Sequence, residues 1–242
     1  MSRNFELLEQ IENTKNRKLP VPISTPPVVS AKSASTVFDQ NAFAQEEMTK
    51  LVQRIFWPSA ERKTRSVVFC GVDDSKGSSS LCLNVGRELA PRISDKVCVL
   101  NLRDGSSDEG HGISSEPSAP FRDDDPMRHA RRVEGNLWMV SPGLVCNGNG
   151  LPALSTLRPQ LDELFRVFSY VLIDARPIGL YADTALLTQL ADGVVLSVEA
   201  NSTRRTAAKM AKETLEGAGA RLLGVVLNNR TFPIPDVLYR KL

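Results

Sequence analysis

Between Ser66 and Leu89 the chain runs from an unbroken apolar segment, Ser66-Val67-Val68-Phe69-Cys70, through a turn into a helical stretch. An apolar run without alternation is the pattern of a strand covered on both faces. The turn reads Gly71-Val72-Asp73-Asp74-Ser75-Lys76-Gly77-Ser78-Ser79-Ser80. A glycine- and serine-rich turn between strand and helix is where backbone N–H groups cradle phosphates. The Walker A pattern closes on Gly-Lys-Ser/Thr, whose lysine reaches the β- and γ-phosphates. Here that tripeptide is Gly77-Ser78-Ser79. The scaffold is kept and its principal charge is not. The plainer alternative is a strand-to-helix turn in which Ser78 is the N-cap.

The same alternation continues down the chain. Apolar runs predict strands at 66–71, 96–101, 137–141, 169–174, 193–198 and 222–227. Helical spacing predicts helices at 41–57, 79–90, 153–168, 181–190 and 203–217. The expected class is therefore α/β, a doubly wound, mostly parallel sheet with helices on both faces. Residues 104–130 are rich in Ser, Asp, Gly and Pro and are expected to form a surface loop. The basic run Arg128, His129, Arg131 and Arg132 is assigned to the same loop surface. Residues 1–42 are set apart as an extension and 43–242 as the domain. Four prolines between 19 and 30 favour an extended tether. That extension is read as a disordered leader or as a docking peptide on a stiff linker.

Composition removes several function classes. With 30 basic and 28 acidic residues the net charge is +2, which makes no global case for nucleic acid or a membrane surface. No apolar run approaches the roughly 18–20 residues that span a bilayer, and the N-terminal residues lack an apolar signal core. Of the four cysteines, Cys70, Cys82 and Cys98 sit in apolar patterns and Cys146 does not; none forms a Cys-x-x-Cys pair. His111 and His129 lack ligand spacing. A cytoplasmic chain is expected.

In doubly wound sheets ligands sit beyond the carboxyl ends of the strands. Besides the turn at 71–80, two strand ends stand out. One is Val97-Cys98-Val99-Leu100-Asn101-Leu102-Arg103, where a catalytic carboxylate is expected and absent. The other is Tyr170-Val171-Leu172-Ile173-Asp174, a Walker B-like strand whose acid can hold Mg²⁺.

The order of phosphate turn, Val-Leu-Ile-Asp strand and Ala191-Asp192-Gly193-Val194-Val195-Leu196 resembles the bacterial tyrosine kinases of capsular and exopolysaccharide export, within the MinD/ParA class of P-loop proteins. Thr203-Arg204-Arg205 and Leu223-Gly224-Val225-Val226-Leu227-Asn228 are the most specific matches, and the similarity spans roughly 43–242. Within this resemblance Ser78 stands at the Walker A lysine, and Ser79 at the hydroxyl that ligates Mg²⁺. Lys76 lies two residues early. Asn101 and Arg103 fall on the family's two aspartates of the second acidic motif. Asp174 is retained as the candidate catalytic and metal-binding acid, and Asn228 matches the base-contacting position. Lys76, Gly77, Ser78, Ser79, Ser80 and Asn228 form the implied site for ATP or ADP with Mg²⁺. The subunit-contact pattern Glu-x-x-Arg-x-x-Arg is degraded to Glu47-x-x-Lys50-x-x-Gln53. Only Tyr170, Tyr181 and Tyr239 are present, so the family's tyrosine-rich tail is missing.

Removing one electrostatic group from a phosphoryl-transfer site costs about 10²–10³ in rate. The resemblance therefore implies a catalytically impaired kinase-like protein. It implies partnership with an inner-membrane polysaccharide copolymerase or a sister kinase, and peripheral attachment to the inner membrane through that partner. Two alternatives stand beside it: a weak ATPase or tyrosine autokinase using Lys76 and Asp174, and a ParA-like positioning ATPase using Arg204 and Arg205.

Overall fold

The computed structural model describes residues 40–58, 63–74, 77–103, 126–141 and 154–229. The proline-rich stretch, Lys76, His111, Cys146, Tyr239 and most of the loop at 104–130 lie outside the described residues. Helix α1 is Gln40–Phe56, followed by β1 (Ser66–Gly71), α2 (Gly77–Leu89), β2 (Val97–Asn101), β3 (Ala130–Glu134) and β4 (Leu137–Val140). Then come α3 (Leu154–Val167), β5 (Tyr170–Asp174), α4 (Asp183–Leu187), β6 (Gly193–Glu199), α5 (Arg205–Gly217) and β7 (Leu222–Asn228).

The strands form one sheet in the order β3-β4-β2-β5-β1-β6-β7. All pairings are parallel except β3 with β4. The α/β class with helices on both faces, read from the sequence, is the fold observed.

Period-two alternation divides β1 between two cores. Val67 and Phe69 face α1 and α2, packing with Val52, Ile55, Phe56, Leu81, Val85 and Leu89. Val68 and Cys70 face the other side, with Leu161 and Leu164 of α3, Leu187 of α4, and Ala211 and Leu215 of α5. Every residue of β1 is buried, as an unalternating apolar strand requires. Gly86 lets α2 lie close to the sheet: a Cβ there would sit 3.1 Å from both Leu137 and Val99. That close seating fixes where the first turn of α2 ends up.

Two expectations need correction. Arg131 and Arg132 are not loop surface but part of β3, which pairs antiparallel with β4. As an edge strand it carries charge at Arg131, Arg132 and Glu134, and the Arg132 guanidinium lies 6.0 Å over the Trp138 ring of its neighbour. The helix expected at 181–190 contracts to Asp183–Leu187. Leu180 and Tyr181 both donate to the Pro177 carbonyl in a preceding turn. After Leu187 the bonds tighten to a three-residue span, with Gln189 N–H on Leu186 and Leu190 N–H on Leu187.

Candidate phosphate-loop site

The carboxyl ends of β1, β2, β5, β6 and β7 converge on the start of α2. The turn after β1 is tied down by its neighbours: Val72 N–H donates to Ser197 of β6, and Ile178 and Gly179 N–H donate to Gly71 and Val72. Helix α2 starts at Gly77, so Ser78 lies in its first turn and is fully buried. The first turn of any helix has N–H groups without partners inside the helix. Ser79 is half-buried there and Ser80 exposed.

Ser78 is the second residue of the helix and so is not its N-cap, contrary to the plainer reading of the turn. Its Oγ accepts a hydrogen bond from Nη1 of Arg103 at 2.8 Å. Nη2 of the same guanidinium donates to Oδ1 of Asp74 at 2.7 Å. The backbone N–H of Arg103 is held by Oδ1 of Asn101 at 2.9 Å. The two positions read as losses, 78 and 103, are thus joined, and a guanidinium stands against the turn where the resemblance expects a lysine.

Asp174 closes β5 at 3 % exposure. It is in register with Asn101 of β2, and its carbonyl accepts from Leu102 N–H at 2.8 Å. Its carboxylate lies near two thiols. Burial, with the Asp174 charge second, pushes Cys70 up to about 12 and Cys82 well above the ordinary thiol value. Asn228, at the end of β7, donates from Nδ2 to the Gly77 carbonyl at 2.9 Å and accepts from Asn229 N–H at 3.0 Å. Both polar atoms of Asn228 are thereby engaged with the turn and its own neighbour. With Met48, Gly77, Ser80, Leu81, Asn84, Glu199 and Asn229 it lines a cleft of about 340 Å³. Asn84, Glu199 and Asn229 carried no signal in the sequence, because each is an ordinary polar residue on a separate element.

A Mg²⁺ cage built from protein side chains alone is not present among the described residues. Mg²⁺ wants near-octahedral oxygen ligands, with carboxylates among them. Where the resemblance implies two further acids the chain has Asn101, whose Oδ1 accepts from Arg103 N–H, and Arg103 itself. Among the described residues no three His, Cys, Asp or Glu side chains group to hold a metal.

No protein-family model matches the chain. The tyrosine-protein kinase CpsD of Streptococcus agalactiae is 37% identical over 69 residues, 28% of this chain and 30% of CpsD. The chain therefore matches about a third of the length of such relatives. The tyrosine-protein kinase CapB of Staphylococcus aureus, so named as a putative kinase, is 23% identical over 195 residues, 76% of this chain and 83% of CapB. What this chain resembles is a bacterial tyrosine kinase. Solved structures agree on the fold. The chimerical protein CapA2B2 superposes with a TM-score of 0.63 at 19% identity, covering 77% of this chain and 85% of that one. The MinD cell division protein of Aquifex aeolicus gives 0.52 at 17% identity, covering 73% of each chain. The sheet is that of the tyrosine-kinase domains and MinD-type P-loop proteins.

Proposed function

We propose that this chain is a catalytically impaired relative of the bacterial tyrosine kinases, serving as a regulatory or scaffolding partner in exopolysaccharide export. The observation that carries the reading is the Ser78–Arg103 hydrogen bond of 2.8 Å. Phosphoryl transfer depends on positioning and on lysine, metal and carboxylate charges. Here the lysine position is a serine, and one former carboxylate position is a cation bonded to that serine. Asp174 alone of the implied acids is left, and one buried carboxylate neither neutralises a transferring phosphoryl group nor replaces two. Turnover near background follows, while the backbone of the turn still offers a place for a phosphate.

The partner proposed from the resemblance is an inner-membrane polysaccharide copolymerase or a sister kinase. The chain would act at the cytoplasmic face of that membrane through its partner. Among the described residues no helix is long and apolar enough to cross a membrane. Self-association through α1 is weakened on this reading, since Lys50 is drawn into pairs with Glu46 and Glu47 of its own helix, at 2.7 and 2.9 Å.

The test pairs turnover with polysaccharide yield. ATP hydrolysis and tyrosine phosphorylation by the purified chain are expected at the level of an Asp174→Ala variant. Deleting the gene is expected to reduce polysaccharide, and the Asp174→Ala variant to restore it. Hydrolysis that Asp174→Ala abolishes would overturn the reading in favour of a weak ATPase.

A further inference from the structure

The six parallel strands all begin at one end of the sheet, the end away from the turn after β1. Immediately before them, across the sheet from β4 to β7, stand Asn136, Lys96, Ser169, Arg65, Asp192 and Arg221. The backbone knits this row together: Val97 N–H donates to Asn136, Ser169 N–H to Lys96, Val171 N–H to Arg65 and Val194 N–H to Arg221. Lys96, Arg65 and Arg221 are cations, and the one acid is spent. Asp192 Oδ2 accepts from the Arg65 and Ser66 N–H groups and from the Ser66 hydroxyl. Both tryptophans of the chain flank the row, one from each side of the sheet. Trp138, the second residue of β4, is half-buried on the α3 side. Lys96 Nζ lies 5.9 Å and the Arg132 guanidinium 6.0 Å from its ring centre. Trp57 follows α1 on the other side and is 47% exposed. Its ring meets Phe56, whose ring meets Tyr170, the first residue of β5.

We infer that this strand-start face docks directly on a bilayer rich in anionic lipid. Arg65, Lys96, Arg132 and Arg221 would meet the headgroups, and Trp57 and Trp138 would enter the interfacial layer. Basic side chains beside a membrane are drawn to its negative surface. Tryptophan joins an apolar body to a polar N–H, the combination that settles at headgroup depth. The overall charge of +2 conceals the asymmetry. Elsewhere Lys50, Lys209 and Lys212 are neutralised by glutamates of their own helices, whereas Arg65 and Lys96 stand exposed. Besides the spent Asp192, the acids beside the row are Asp95 and Glu134, both at its β3–β4 corner. An acidic protein would answer the cations but not the two tryptophans, so the pattern favours lipid. Docking here leaves the turn after β1 and the cleft at the far end of the sheet. The plainer role of these cations is to offset the helix C-termini, which lie at the same end. The inference adds a lipid contact to the attachment through a partner proposed above and does not rest on it.

The experiment is co-sedimentation of the full chain with vesicles of phosphatidylglycerol and phosphatidylcholine in equal parts, against phosphatidylcholine alone. Binding is expected to the anionic vesicles only, and to fall as salt rises. Trp57 and Trp138 are the chain's only tryptophans, so emission is expected to shift to the blue on binding. Trp57→Phe and Trp138→Phe are each expected to lose part of that shift. The double variant Arg65→Gln/Lys96→Gln is expected to bind about 25-fold more weakly, about fivefold for each cation. Arg204→Gln/Arg205→Gln removes the same charge at the opposite end, where α5 begins, and is expected to bind as wild type does. The inference is overturned if folded wild type ignores anionic vesicles or binds both kinds alike. It is overturned as well if the Arg204/Arg205 variant loses as much binding as the Arg65/Lys96 variant. An Arg65/Lys96 variant that is less stable in urea yet sediments like wild type would also sink it, since the cations would then serve the helix ends alone. Capture of poly-glutamate without capture of vesicles would overturn the lipid assignment in favour of an acidic protein.

Discussion

Thr203 and Asp73 are 130 residues apart in the chain, yet the Thr203 hydroxyl donates to the Asp73 carboxylate at 2.9 Å. The same oxygen accepts the Glu199 N–H at 3.1 Å. One hydroxyl thus ties the turn after β1 to the end of β6 and to the Thr-Arg-Arg segment that opens α5. Removing it in Thr203→Val leaves both partners to find water, at about 1–2 kcal/mol. Amide exchange at Val72, Asp73 and Asp74 is expected to accelerate in that variant and not in Thr203→Ser. Unchanged exchange in Thr203→Val would show that the turn is held by its backbone bonds alone.

The backbone side of that turn has its own test. Gly179 donates to the Val72 carbonyl at 3.2 Å. A Cβ on Gly179 would lie 2.4 Å from the same oxygen. That atom is backbone and cannot swing aside, so Gly179→Ala is expected to cost about 1–3 kcal/mol by urea denaturation. Gly86→Ala is the useful contrast. Its new Cβ would meet only side-chain ends at 3.1 Å, and helix propensity returns about 1 kcal/mol, so its net change is expected near zero. A Gly179→Ala protein as stable as wild type would mean that the turn relaxes freely.

The sequence was most legible where burial was most complete. β1, β2, β5 and β6 lie inside the sheet, so their apolar runs are almost uninterrupted, and their bounds came within a residue or so of those observed. β3 was missed because Ala130-Arg131-Arg132-Val133-Glu134 is an edge strand, and edges are protected by charge. At the site, the residue types at 78, 101, 103 and 174 were readable, but the bond between 78 and 103 was not. Arg103 registers in sequence as an absent carboxylate; that it supplies a cation to Ser78 appears only when β2 is laid beside the turn. Asp74 gave no signal, being one exposed acid among many.

Glu88 gives the fold a pH dependence away from the site. Burial raises its pKa, but hydrogen bonds from Thr49 and Arg92, the Arg92 charge and the Gln45 amide outweigh that, leaving it below the ordinary glutamate value. Its carboxylate joins α1 to α2 through Thr49 at 2.6 Å and to Arg92 at 2.5 Å. A depressed folded pKa stabilises the native state above the unfolded value and loses that contribution as pH falls through the folded one. Glu88→Gln is expected to cost about 1–2 kcal/mol at pH 7. The gap to wild type should close below about pH 4, where the unfolded glutamate is protonated. A gap that stays constant from pH 7 to pH 3 would mean that the charge of Glu88 contributes nothing.

The buried thiols report whether the sheet beneath the turn opens. Cys70, Cys82 and Cys98 are free and buried. Burial raises all three pKa values, and it takes Cys70 to about 12. Only the thiolate reacts, so alkylation at pH 8 needs both access and ionisation, and native protein offers neither. Iodoacetamide should therefore modify these three cysteines no faster than the chain unfolds globally, as read by peptide mass spectrometry with urea unfolding as the reference. The Asp174 charge is the lesser cause of the Cys70 and Cys82 shifts, so Asp174→Asn should leave both protected. If Cys70 or Cys82 became reactive in that variant while stability stayed the same, electrostatics and not burial would be guarding the thiols, and the end of β5 would open without the rest of the sheet.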